Sequence, residues 1–234
     1  GLLVVVVQYL AEDSVVVGIA ICGWRSTNEL LCILFDGQVR ERSANLITNR
    51  QNEIKNYLGC EVEIRKILDL RDFPDSPFGE LVVHDFNTIL NDPEVSVVAE
   101  MMGGSHPAYD FTKACLEAGK SVVTSNKEVV ASFGVELCEI AASHGVRYMF
   151  EASVGGGIPI IRPMMTDLAS NKINSINGIL NGTTNYILTK MFSEGWSFED
   201  ALSKAQELGY AERNPAADVE GLDTCRKISI LASL

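Results

Sequence analysis

The sequence predicts an α/β chain, a doubly wound parallel sheet followed by a second unit of different character. Three observations carry this. From Ser43 to Phe150, short apolar runs alternate with segments of helical periodicity, the pattern of βαβ units with helices on both faces of a sheet. Gly59, Asn91-Asp92-Pro93, Pro107, Gly119 and Asn126 stand where those units should turn or change element. After Glu151 the alternation stops, and Gly155-Gly156-Gly157 lead into IPIIRPMM. The boundary is therefore expected near residue 150, between units 1–150 and 151–234.

Each element has its own warrant. Val15–Cys22 and Leu30–Phe35 are apolar runs of the kind that form buried parallel strands, although residues 1–42 do not complete a βαβ unit. SANLITNRQNEIKNYLG, from Ser43, reads as one helix closed by Gly59, and EVEIRKILDL as a strand that alternates and is then buried. VSVVAEM is the next strand. Pro107 starts a helix whose Ala108, Phe111, Cys115 and Ala118 recur at three- and four-residue spacings. Ser121–Thr124 is a strand, Asn126 and Lys127 open a helix running through Ala142, and Arg147–Phe150 is a further strand. In the second unit, Ile173–Leu180 is expected as a strand. Ser197 and Asp200 form a capping box for a helix that buries Phe198, Ala201, Leu202, Ala205 and Leu208.

Composition narrows the function classes. With 234 residues, 47% hydrophobic and 21% charged, the chain can bury a normal core. A net charge of −12 argues against nucleic acid or an anionic membrane surface as partner, and favours a small-molecule enzyme or a binding module. Six cysteines and three histidines are dispersed without metal-ligand spacing, as expected of small buried thiols in a reducing compartment. LLVVVV is too short for a membrane span and has no basic residues ahead of it, so a cytoplasmic protein is expected.

Chemistry concentrates in GYAERNPAADVEGLDTCRK, residues 209–227, where Glu212, Asp218, Glu220 and Asp223 surround one downstream amine, Lys227. Asp223 and Lys227 share a helix face at i,i+4. Such a pair is either a solvated salt bridge worth a few tenths of a kcal/mol, or an amine held by apolar walls for proton transfer. Ile228, Ile230, Leu231 and Ala232 would draw that helix into a core. EMMGG and VVTSNKE place Met102, Gly103, Ser125, Asn126 and Lys127 at strand C-terminal ends, where open α/β sheets bind ligands. The alternative is that Asn126 only caps a helix and Lys127 is solvated. Arg71, just past the second strand, is placed to pair with a 2′-phosphate.

GYAE followed by P-x-x-D-V-E-G-L-D-x-x-x-K resembles the signature of homoserine dehydrogenase, an enzyme family that interconverts aspartate 4-semialdehyde and homoserine with a nicotinamide cofactor. EASVGGGIPII and GILNGTTNYIL resemble two further motifs of that family, and with the strand-end segments the resemblance spans roughly residues 43–234. It departs at Arg213-Asn214, where the family often has an acidic residue. It departs also at Asp36–Arg42, where G-x-G-x-x-G belongs and only Gly37 stands. A shifted reading frame is one explanation, which the nucleotide sequence tests.

The resemblance implies a Rossmann-like NAD(P)-binding domain followed by an incomplete α+β catalytic and dimerisation domain. It makes Lys227 the catalytic proton donor or acceptor, with Tyr210, Glu212, Asp218, Asp223, Gly182 and Thr183 around homoserine. Met102, Gly103, Ser125, Asn126, Lys127 and Arg71 would bind NADP or NAD. Glu151, Val154, Gly156 and Ile158 would surround a monovalent cation, sodium, mostly through carbonyls; a glycine turn without metal is the alternative there. A homo-oligomer is implied. So is a catalytic domain continuing past Leu234, which would leave the apolar face around Lys227 uncovered. The competing reading is a catalytically silent relative that self-associates without binding dinucleotide.

Overall fold

The computed structural model describes residues 2–7, 17–22, 28–35, 39–59 and 61–234. Strands β1 (Leu2–Val7) and β2 (Val17–Cys22) pair antiparallel, Leu2 facing Cys22 and Val7 facing Val17. The described part of the run expected at Val15–Cys22, residues 17–22, is thus not part of a parallel sheet, and residues 15 and 16 lie outside the described residues; apolarity alone specifies neither a strand's partner nor its direction. β3 (Asn28–Phe35) does contain the expected strand at Leu30–Phe35 and pairs parallel on both sides.

The single helix expected from Ser43 is two, α1 (Val39–Asn49) and α2 (Gln51–Leu58). Arg50 separates them, its backbone at φ −112° and ψ 22° leaving helical values. Gly59 closes α2 in the left-handed region at φ 77°, its amide donating to the Lys55 carbonyl. β4 (Glu61–Leu68) buries Val62 and Ile64 alternately, then Ile67 and Leu68 in succession.

There follow β5 (Val82–Val83), α3 (Asn87–Leu90), β6 (Val97–Met101), α4 (Ala108–Glu117), β7 (Ser121–Thr124), α5 (Lys127–Ser143) and β8 (Tyr148–Met149). Six strands form one parallel sheet in the order β5-β4-β3-β6-β7-β8. The order runs outward in both directions from β3 and β6, so the reversal lies between them, and ligands of such sheets bind beyond the strand C-termini there. The expected fingerprint at Asp36–Arg42 begins at that point. Residues 36–38 lie outside the described residues, and α1 begins at Val39.

Alternation along the strands divides the core between the two faces. Val98, Val122, Leu116 and Leu137 belong to one cluster; Ile47, Val62, Ala99 and Val123 belong to the other. Each buried Leu, Ile or Val contributes about 1.5–3 kcal/mol over an exposed one.

In the second unit a 3-10 turn, Glu151–Ser153, and a π-helical turn, Pro163–Asp167, replace regular elements. The strand expected at Ile173–Leu180 is not one. The segment has no strand partner among the described residues, and Ile173 and Ile179 are exposed; extended backbone becomes a strand only when a neighbour takes up its hydrogen bonds.

Helices α6 (Gly182–Glu194), α7 (Phe198–Glu207), α8 (Ala216–Val219) and α9 (Leu222–Ala232) follow. Ser197 caps α7, its hydroxyl accepting from the Asp200 amide at 3.0 Å. Ala201 and Ala205 are fully buried and Leu202 packs beside them, but Phe198 and Leu208 are exposed. Both stand at the ends of a ten-residue helix, where the cover over its middle no longer reaches. The apolar face of α9 is not left bare. Ile230 and Leu231 enter the same core cluster as Val129, Val130 and Leu137 of α5, so the first unit covers the helix that carries Lys227.

Candidate functional site

Three side chains, those of Lys127, Asn181 and Lys227, meet at one carboxylate. Asp223, in the first turn of α9 and 2% exposed, accepts from Lys127 Nζ on Oδ1. On Oδ2 it accepts from Asn181 Nδ2 at 2.9 Å and pairs with Lys227 Nζ at 2.8 Å. Burial pushes the Asp223 carboxyl up, but donors from Lys127, Lys227 and Asn181 outweigh it and hold the pKa down at about 2. The group is therefore an anion at neutral pH.

Lys227 has a second partner, the Leu180 carbonyl at 2.9 Å, and its side chain is mostly buried. Both anchors point one amine toward the segment that leads into α6. The solvated salt bridge is thereby set aside: the i,i+4 spacing is present, but Asp223 is buried and shared with two further donors.

Asn181 organises the loop before α6 and was not singled out from the sequence. Its Oδ1 caps α6 through the Thr184 amide at 2.8 Å, and its Nδ2 bridges Asp218 Oδ1 at 2.7 Å to Asp223. The signal was present, an Asn before Gly182 at a helix start, but a cap residue reads as local. Next to it, Gly182 has open space where a Cβ would stand, and the Thr183 hydroxyl donates to the Tyr210 carbonyl at 2.6 Å. The Tyr210 ring is exposed, with its edge toward Tyr186. Glu212 and Glu220 are not brought in. Both are exposed, and the Glu212 side chain makes no hydrogen bond or ion pair among the described residues; only its carbonyl accepts, from Gln206.

Lys127 and Asn126 stand at the C-terminal end of β7, beside the loop after β6. Asn126 does cap α5, accepting from the Glu128 and Val129 amides at 3.1 and 3.2 Å. It also donates to the Met102 and Gly104 carbonyls at 3.1 and 2.7 Å, so capping and loop-holding are one arrangement. Gly103 is exposed with open space at its Cβ position, and Ser125 is half-buried. Lys127 is not simply solvated, since it reaches across to α9. One residue further along α5 and three further along α9, Glu128 pairs with Arg226 at 2.7 Å, so α5 and α9 are joined by two ion pairs.

Arg71 lies beyond β4, its guanidinium 3.2 Å from Asp69 Oδ1 and over the Phe73 ring. The Glu151 carboxylate accepts from the amides of Ile160, Ile161 and Arg162 at 2.6, 2.9 and 2.8 Å. Those bonds cap the following helical turn and leave only the Glu151 carbonyl for another ligand. Val154 is buried, Ile158 exposed and Gly156 at φ 59°. A Cβ at Gly155 would stand 2.3 Å from the Ile158 carbonyl oxygen, so that turn requires glycine. Among the described residues no group of His, Cys, Asp and Glu is arranged to hold a metal, and no helix is long and apolar enough to cross a membrane.

The sheet order and the strand-end cluster define a Rossmann-like α/β protein whose second unit brings charged side chains to the carboxyl edge of the sheet. The model of the homoserine dehydrogenase NAD-binding domain matches residues 37–151, and that of homoserine dehydrogenase matches residues 159–234. A homoserine dehydrogenase of Synechocystis is 52% identical over 155 residues, 66% of this chain and 36% of its own length. Among solved structures, a Thiobacillus denitrificans homoserine dehydrogenase has a TM-score of 0.80 at 34% identity, covering 88% of this chain and 48% of that one. A hyperthermophilic archaeal homoserine dehydrogenase solved in complex with NADPH has a TM-score of 0.74 at 26% identity, covering 87% and 68%. The chain belongs to the homoserine dehydrogenase family. It spans between 36% and 48% of the length of the curated relatives it matches.

Proposed function

We propose that this chain carries the cofactor-binding and proton-transfer parts of an oxidoreductase that interconverts L-homoserine and L-aspartate 4-semialdehyde with NADP or NAD. The observation that carries the reading is the Asp223 carboxylate holding Lys127 and Lys227 together at the carboxyl edge of the parallel sheet. The residues fit a dinucleotide: the Met102–Gly104 loop is held open by Asn126, and Gly103 leaves room for close approach. The archaeal relative solved with NADPH supports the same assignment.

A bound nicotinamide supplies the hydride acceptor or donor. Met102, Gly103, Ser125, Asn126 and Lys127 form its strand-end cradle, and Arg71 meets a 2′-phosphate. Lys227 gives its proton to the substrate oxygen during aldehyde reduction and takes it back during alcohol oxidation, while its charge stabilises the developing alkoxide. Asp218 holds the substrate ammonium, Gly182 and Thr183 line its approach, and Tyr210 closes one side. Asp223 orients both amines.

Backbone carbonyls at Glu151, Val154, Gly156 and Ile158 surround a sodium ion in the same reading, which a sodium-dependent rise in melting temperature would test. The wider setting is cytoplasmic biosynthesis of threonine, methionine and isoleucine by a homo-oligomer.

The deciding experiment is NADPH fluorescence titration of this chain and its Lys127→Ala variant, followed by homoserine-dependent NADP reduction. Saturable binding that weakens in the variant together with turnover is expected. Absence of binding by the unaltered chain would leave the catalytically silent alternative in its place.

A further inference from the structure

Glu100 has no role in the mechanism above, yet it lies at 0% exposure one residue before the C-terminal end of β6. A carboxylate so placed is costly unless every oxygen is satisfied. Oε1 accepts from the Met102 amide at 2.7 Å, and Oε2 from the Thr124 hydroxyl at 2.6 Å. The Thr124 oxygen in turn accepts from the Asn126 amide at 2.8 Å. Asn126 donates back to the Met102 and Gly104 carbonyls. The chain of bonds closes on itself: Glu100, Thr124, Asn126, Met102 and again Glu100. It joins the end of β6, which borders the reversal of the strand order, to the end of the neighbouring β7.

We propose that Glu100 is a positioning residue, which through this ring holds the Met102–Gly104 loop and Asn126 in the shape that receives the dinucleotide. The inference rests on the functional reading given above and assigns the buried acid beneath that site. Each β6 loop bond is replaceable by water when the loop is free, so the ring's effect is to order the loop before ligand arrives and remove that ordering from the cost of binding. A carboxylate suits this better than an amide. Both its oxygens accept, whereas glutamine would turn an N–H either toward the Met102 amide or toward Thr124, whose hydroxyl proton would then lose its acceptor on this side chain.

The test compares Glu100→Gln, Thr124→Val and the double variant with the unaltered chain, by amide hydrogen exchange and by NADPH and homoserine titration. Thr124→Val cuts the same ring from its other side with little change in volume, and serves should Glu100→Gln fail to fold. Expected are faster exchange at residues 102–105, an NADPH Kd raised about tenfold, and a homoserine KM within about twofold. The double variant should be scarcely worse than either single one, because one ring is broken once. If the unaltered chain binds NADPH and a folded variant binds it equally well, the inference is overturned while the functional reading stands. The inference also fails if Kd and homoserine KM worsen in parallel with a general loss of stability. No binding by the unaltered chain would remove the functional reading, and this inference with it.

Discussion

Lys127 Nζ and Asp223 Oδ1 are bonded across a sequence separation of 96 residues. The contact brings the first residue of α5 onto the first turn of α9 and sets two amines on opposite oxygens of a single buried acid. Lys227, the second of those amines, is the residue on which turnover should depend most.

On the function proposed above, Lys227→Ala should lower homoserine-dependent turnover by about a hundredfold or more, the usual scale for a positioned acid or base. The NADPH Kd should hardly move, because Lys127 and the strand-end loops remain. Lys227→Arg should recover little, since guanidinium keeps the charge but does not release its proton near neutral pH. Recovery of most activity by arginine would make the residue a fixed charge and not a proton carrier.

Asp223 has a pKa held at about 2, below the ordinary aspartate value of 3.8, by its bonds to Lys127, Lys227 and Asn181. A depressed carboxylate pKa contributes stability that is fully present above the unfolded value and lost as pH falls through the folded one. The contribution, on the order of 1–2 kcal/mol, should therefore be intact at pH 6 and fade between about pH 4 and 2. Melting curves of the unaltered chain and Asp223→Asn, taken across that range, should converge as the acid is titrated. A difference that stays constant down to pH 2 would show that the variant's deficit comes from packing.

Asn181 separates capping from site geometry. Asn181→Ala should cost about 1 kcal/mol through the lost cap on α6. Asn181→Asp keeps a cap acceptor but sets a third carboxylate against Asp218 and Asp223. The aspartate variant should lose more turnover than the alanine variant, although its α6 cap is better. Melting temperature and kcat measured on the same pair would settle the order.

Gly155→Ala forces a Cβ to 2.3 Å from the Ile158 carbonyl oxygen, backbone that cannot step aside as a side chain would. A loss of about 2 kcal/mol is expected, lowering the melting temperature by about 4–8 °C. Gly103→Ala, with open space around it, should leave the melting temperature nearly unchanged. Equal effects at the two positions would contradict the geometry described for the glycine turn.

The parallel sheet was legible because β4, β6 and β7 are apolar runs between clear stops, and their C-terminal ends locate Met102, Asn126 and Lys127 without knowledge of any contact. What could not be read were pairings across long separations. Val17–Cys22 has the composition of a parallel strand and pairs antiparallel with β1, while Ile173–Leu180 has strand composition and no partner among the described residues. Periodicity reports which face is apolar and is silent on what covers it. At the site, Asp223 and Lys227 were legible from their spacing, but the arrival of Lys127 at the same carboxylate is a tertiary event. Glu212 and Glu220 illustrate the converse, since both are close in sequence to Lys227 yet exposed and not bonded to it.

The two ion pairs between α5 and α9 bear on how relatives of this chain can exchange parts. Lys127 and Glu128 lie in the segment matched by the NAD-binding model, Asp223 and Arg226 in the segment matched by the homoserine dehydrogenase model. Their charges run plus then minus on one helix and minus then plus on the other. A chimaera taking its first segment from one ancestor and its second from another would inherit a working junction only if both carried the same alternation. Replacing Glu128 alone would leave Arg226 without this partner, so the seam is inherited intact only when both residues are kept.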